Sequence, residues 1–119
     1  MNDFEKAMAA IDKAVKDTHR KVNFSVYKAI TEATPKLSGL AQNNWFPSIG
    51  NPSSEKTSST SGNFGASEGT VNNGIDGYQR TFITNNLPYI RRLNEGYSKK
   101  AAPNFVERHV NLVARQFKK

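Results

Sequence analysis

The sequence predicts an α+β fold: a long N-terminal helix packed with a small antiparallel sheet, a hairpin with a long mobile loop, and two C-terminal helices. Apolar residues at spacings of three and four open the chain, and two short alternating segments flank a Ser- and Gly-rich stretch. Two proline-headed amphipathic segments then close it. With 119 residues, 36% of them apolar and 10% aromatic, one domain over 1–119 around one core is expected, with a loop at 51–77 disordered outside it.

From Asp3 to about Ala33 the pattern reads as one helix. Phe4, Met8, Ile11 and Val15 form a stripe that Val22, Val26 and Ile30 resume two turns later, and no Gly or Pro interrupts it. Pro35 supplies the stop, because the residue before a proline is pushed out of the α region. Such a helix is about 46 Å long at 1.5 Å per residue. A compact domain of this size has a diameter of roughly 35 Å. A straight helix therefore overhangs its own core, and its apolar stripe is expected to pack against another subunit. A break near residues 18–23, giving two shorter helices on one core, stays open, since Val22 to Val26 also alternates like a strand.

Ser38 is expected to cap a helical turn running through Asn43. Asn44 to Ile49 reads as a strand carrying Trp45 and Phe46, at an edge because Pro47 has no N–H for a ladder. From Asn51 to Thr70, fifteen of twenty residues are Ser, Thr, Gly, Asn or Pro, too little apolar surface to offset the entropy of ordering. Val71 to Ile75 is a candidate third strand. Asp76-Gly77 marks a turn, and Tyr78 to Thr84 alternates as the strand that pairs with the first. Pro88 is expected at the first position of a helix carrying Tyr89, Ile90 and Leu93, with Gly96 as its left-handed cap. Pro103 opens the last helix by the same logic, its apolar side made of Phe105, Val106, His109, Val110, Leu112, Val113 and Phe117.

Charge is unevenly spread. Of the net +7, residues 1–77 contribute nothing, and residues 78–119 carry nine Lys/Arg against Glu95 and Glu107. Arg91, Arg92, Lys99, Lys100, Arg108 and Arg115 are candidate partner-binding residues. They suit an acidic protein surface or phosphate. Motifs that read base edges or stack bases are missing: there is no helix-turn-helix spacing, zinc finger or aromatic RNA-reading sheet signature.

Catalytic chemistry is hard to assemble from this composition. There is no cysteine and only two histidines, His19 and His109, on separate predicted helices among apolar neighbours. No His/Asp/Glu cluster has metal-ligand spacing, and the glycines at 62, 65 and 69 lack the lysine and Ser/Thr of a phosphate loop. No enzyme, cofactor or metal is expected. A basic ribonuclease-like reading would have to rest on Arg80, Tyr89, Arg91 and Arg92. The longest wholly apolar run is Ala7 to Ile11, far short of the roughly 20 residues that span a bilayer. With no hydrophobic signal core at the N-terminus, a soluble chain made in the cytoplasm is expected.

The run Pro88-Tyr89-Ile90-Arg91-Arg92-Leu93-Asn94-Glu95-Gly96, followed by a small polar loop, Ala102-Pro103 and Phe105-Val106, resembles the C-terminal signature of minor tail, or tail-completion, proteins of long-tailed bacteriophages. Thr34-Pro35-Lys36-Leu37-Ser38-Gly39-Leu40 is similar to that family's turn after its first long helix. Many relatives carry an acid where Asn94 stands and an aromatic where Glu95 stands, and the loop at 51–77 is longer than the family's compact hairpin. The resemblance implies a non-enzymatic virion component at the tail or head–tail joint. It implies docking on tail and neck proteins, a homo-oligomeric ring on assembly from a chain that can be monomeric alone, and no membrane. It marks Pro35, Ser38, Gly39, Leu40, Pro88, Tyr89, Leu93, Gly96, Pro103 and Phe105 as architectural positions. DNA contact by the basic third stays open, as does a small nucleic-acid-binding protein in place of a tail component.

Overall fold

A computed structural model describes residues 1–36, 38–62, 64–75, 77–96 and 103–118. Helix α1 runs unbroken over Asp3–Ala33, so the alternative of two shorter helices does not hold. Asn2 caps it, its Oδ1 accepting from the Glu5 N–H at 2.8 Å. Thr34 turns extended ahead of Pro35, and its hydroxyl donates to the Ile30 carbonyl at 2.7 Å. The same hydroxyl accepts from the Trp45 indole at 2.8 Å. The helix stop thereby fixes the first strand beside it.

Helix α2 is a single turn, Leu40–Asn43, capped by Gly39 in the left-handed region at φ 92° rather than by Ser38. Ser38 still contributes, accepting from the Leu40 N–H at 3.3 Å. Strands β1 (Trp45–Ile49) and β2 (Thr81–Asn85) pair antiparallel, Trp45 opposite Asn85 and Ile49 opposite Thr81. Both strands are edges in a two-stranded sheet, which tolerates Pro47. Tyr78 and Arg80, expected within the second strand, precede it.

The connection between the strands corrects one expectation. Instead of a third strand at Val71 to Ile75 there is helix α3, Gly65–Gly74. Val71 and Ile75, one turn apart, are both buried, and bare Gly74 lets Ile49 of β1 approach closely. Packing against α1 and β1 outweighs the poor helix propensity of this glycine-rich segment. In the rest of the stretch, expected to be mobile, side-chain amides bond the backbone at two places. Fully buried Asn44 exchanges hydrogen bonds with the backbone of Thr57, donating at 3.0 Å and accepting at 3.0 Å. Asn86 donates to the carbonyls of Ser53 and Glu55 at 2.8 and 3.1 Å. Phe64 packs on the core.

Helix α4 is short, Ile90–Asn94, with Pro88 and Tyr89 in the turn before it. Helix α5 covers Phe105–Phe117, and Pro103 likewise lies in a turn ahead of it. Neither proline is the first helical residue, so each helix starts two residues later than expected. Gly96 takes the left-handed conformation at φ 101°, as expected of a cap. The core gathers Tyr27, Ile30, Ala41, Trp45, Leu93 and Phe105, with Val26, Ile83, Leu87 and Ile90 around it. Burial raises the pKa of the Tyr27 phenol above its usual value. Pro35 is buried, whereas Pro88, Tyr89 and Pro103 are exposed.

The outline is a rod, 58 × 30 × 21 Å. Its radius of gyration, 16.4 Å, exceeds the roughly 13.5 Å of a compact chain this long.

Candidate functional site

The overhang of α1 is the most exposed apolar feature. Residues 1–14 are all exposed, with Phe4 at 73%, Met8 at 43% and Ile11 at 52%. The Gly77–Tyr78 turn braces the helix at the base of this segment, from Asp12 to Lys16. The Tyr78 hydroxyl donates to Asp12 at 2.5 Å, which raises the phenol's pKa, and Gly77 packs on the backbone of Lys16 and on Val15.

Helical geometry sorts the residues of the overhang. At 3.6 residues per turn, Phe4, Met8, Ile11 and Val15 fall within an arc of about 60°. Glu5 and Asp12 border that arc on one side, and the small Ala7 and Ala14 on the other. Lys6 and Lys13 lie on the far side, where Lys13 pairs with Asp17 at 2.6 Å and holds that carboxyl below its ordinary pKa. The helix has nearly balanced charge, yet its apolar stripe has an acidic border.

The described basic candidates lie on the two C-terminal helices. Arg91, Arg92, Arg108 and Arg115 are all exposed, the first two on α4 and the others on α5. Lys99 and Lys100 lie outside the described residues. Asn94 joins the two helices: its backbone carbonyl accepts from the Asn104 N–H at 2.5 Å and its Oδ1 from the Val106 N–H at 2.9 Å. Its amide nitrogen donates to both Glu107 carboxylate oxygens, at 2.7 and 3.1 Å. Asn94 thus caps α5 from another element, because left-handed Asn104 makes no side-chain cap. This role was not legible in the sequence, where the capping pair is twelve and thirteen residues distant.

Only part of the apolar side expected for α5 is covered. Phe105 and Val113 are buried, while Val110, Leu112 and Phe117 remain exposed. Leu112 lies one turn from Arg108 and one from Arg115, and with His109 and Asn111 these line an open groove along the helix. Among the described residues, Arg91, Arg108 and Arg115 have no carboxylate within ion-pairing distance.

Histidine chemistry does not converge. His109 Nδ1 contacts the Phe105 carbonyl of its own helix at 2.7 Å, and His19 lies on α1. Among the described residues no group of three or more His, Asp or Glu side chains could hold a metal ion, and no helix is long and apolar enough to cross a membrane. Comparison of the chain with protein-family models, with curated proteins and with solved structures finds no match.

Proposed function

We propose that the chain is a structural phage tail assembly protein of the tail-completion or head–tail joining kind. It acts by docking on tail and neck subunits within a ring or connector of the virion. The observation that carries this reading is the overhang of α1, a helical segment that presents Phe4, Met8 and Ile11 to solvent beyond the chain's own core. Apolar patches of this kind, rimmed by polar residues, mark protein–protein contact sites. The resemblance at Pro88 to Val106 supplies the identity of the assembly.

The test is deletion of the gene from a phage that carries it, with complementation in trans. The wild-type chain is expected to restore joined, infectious particles. The variant Phe4→Ser/Ile11→Ser should fail to do so while keeping the wild-type circular dichroism spectrum and melting curve. Full-length tails joined to filled heads in the deletion strain would end this reading.

A second reading, a small nucleic-acid-binding protein, is favoured by the exposed Arg91, Arg108 and Arg115, which have no carboxylate within ion-pairing distance among the described residues. It requires duplex or single-strand affinity that falls steeply with salt. Fluorescence anisotropy showing no binding at low salt removes it.

A further inference from the structure

We infer that the α1 overhang of one chain docks into the α5 groove of a second copy, making a head-to-tail contact between copies. This rests on the reading of the overhang as a docking surface and names what it docks on.

The two surfaces are complementary in chemistry. The overhang is an apolar ridge, Phe4, Met8 and Ile11, bordered by the carboxylates Glu5 and Asp12. The groove has exposed Leu112 beside the guanidinium groups of Arg108 and Arg115. Ridge against ridge, as in an antiparallel two-fold pair of α1 helices, would bring acidic borders together, and like charges across an interface oppose association. Ridge into groove matches apolar with apolar and acid with base. The small Ala7 and Ala14 leave the opposite border of the ridge low enough for close approach.

A single chain cannot make this contact with itself, because α1 has no Gly or Pro at which its overhang could turn back. Residues 3–14 span about 18 Å and the 13 residues of α5 about 20 Å, so the lengths match. Because the two patches differ, the contact is heterologous: each copy offers one of each, and assembly proceeds to a closed ring or an open filament. One strip about 18 Å long and 10 Å wide falls well below the roughly 800 Å² per partner of a stable pair. Isolated pairs are therefore weak, and larger assemblies build up only as concentration rises.

Charge reversal tests this on the full chain by sedimentation velocity at low salt. Wild type is expected to be monomeric when dilute and to assemble as its concentration rises, and added salt should disperse it. Glu5→Lys/Asp12→Lys, with two basic surfaces, and Arg108→Glu/Arg115→Glu, with two acidic ones, should each need roughly tenfold or more protein to assemble. An equimolar mixture of the two variants should assemble as wild type does, since the copies can alternate. Lys6→Glu, on the far side of α1, should change nothing, and circular dichroism establishes that every variant is folded.

The inference is overturned if wild type stays monomeric to about 1 mM, where even a contact worth about 4 kcal/mol would register. It is equally overturned if reversal has no effect, or if the mixture of variants fails to recover assembly. Duplex DNA binding that is lost in Arg108→Glu/Arg115→Glu without any self-association would assign the groove to nucleic acid instead. A monomeric wild type that still complements the phage deletion removes this contact and leaves the tail-assembly reading standing. Self-assembly in a protein that the phage does not need does the reverse.

Discussion

Gly96→Val is expected to abolish the cooperative fold. Gly96 sits at φ 101°, a region that costs a β-branched residue on the order of 1–3 kcal/mol. An added Cβ would also stand 2.8 Å from Pro103 Cγ and 3.2 Å from Pro103 Cβ, and a proline ring has little freedom to give way. Relief of that clash separates the two sides of the α4–α5 junction. Such a movement breaks the bonds from Asn94 to Asn104, Val106 and Glu107 and pulls Leu93 away from Phe105. A domain of this size is stable by about 6–18 kcal/mol, so strain, clash and lost cap together take most of the margin. Gly96→Ala, with the same clash but no β-branch, should fold with a clearly lowered melting temperature. A Gly96→Val chain with the wild-type spectrum and melting curve would refute the role given to this turn.

Phe105→Ala is expected to lower stability by about 3–5 kcal/mol. Phe105 is 1% exposed and packs among Tyr27, Ile30, Trp45 and Leu93, so truncation leaves a cavity at the meeting point of α1, β1, α4 and α5. Phe4→Ala removes the same side chain from the overhang and should change stability by less than about 0.5 kcal/mol. Urea titration reads both, with fluorescence of the single tryptophan, Trp45, as reporter, since it is buried and bonded to Thr34. Equal losses in the two variants would mean that the overhang is sheltered in the isolated chain.

Local chemistry explains what could be read from the sequence. Helix α1 was legible to both ends because its stripe, its freedom from Gly and Pro, and Thr34-Pro35 are all short-range signals. The overhang followed from its length alone. The strand pair was legible from alternation, and the left-handed Gly96 from its place after Leu93.

The missed features depend on distant partners. Helix α3 forms because Val71 and Ile75 find β1 and α1, which residue propensities do not encode. The segment around Thr57 is held by Asn44, and that around Ser53 by Asn86. Polar composition argues for mobility there, and it gives no sign that buried Asn44 and half-buried Asn86 bond four of its backbone groups. Proline favours the first helical position on average, which predicts Pro88 and Pro103 inside helices. Here both stand in turns, and Asn94 caps α5 from across the junction. Of the basic cluster, Arg91, Arg92, Arg108 and Arg115 are exposed on two linked helices, and the structure shows that Leu112, expected on the covered side, is exposed beside the last two.

Whether the leading half of the first helix is bare in the lone molecule and covered once it joins its neighbours can be read directly by hydrogen–deuterium exchange, amide by amide. In dilute protein, amides over residues 3–14 should exchange far faster than those around Tyr27 and Ile30, and should become protected on assembly. Equal protection of both halves in the dilute monomer, or none gained by the leading half on assembly, would contradict the account.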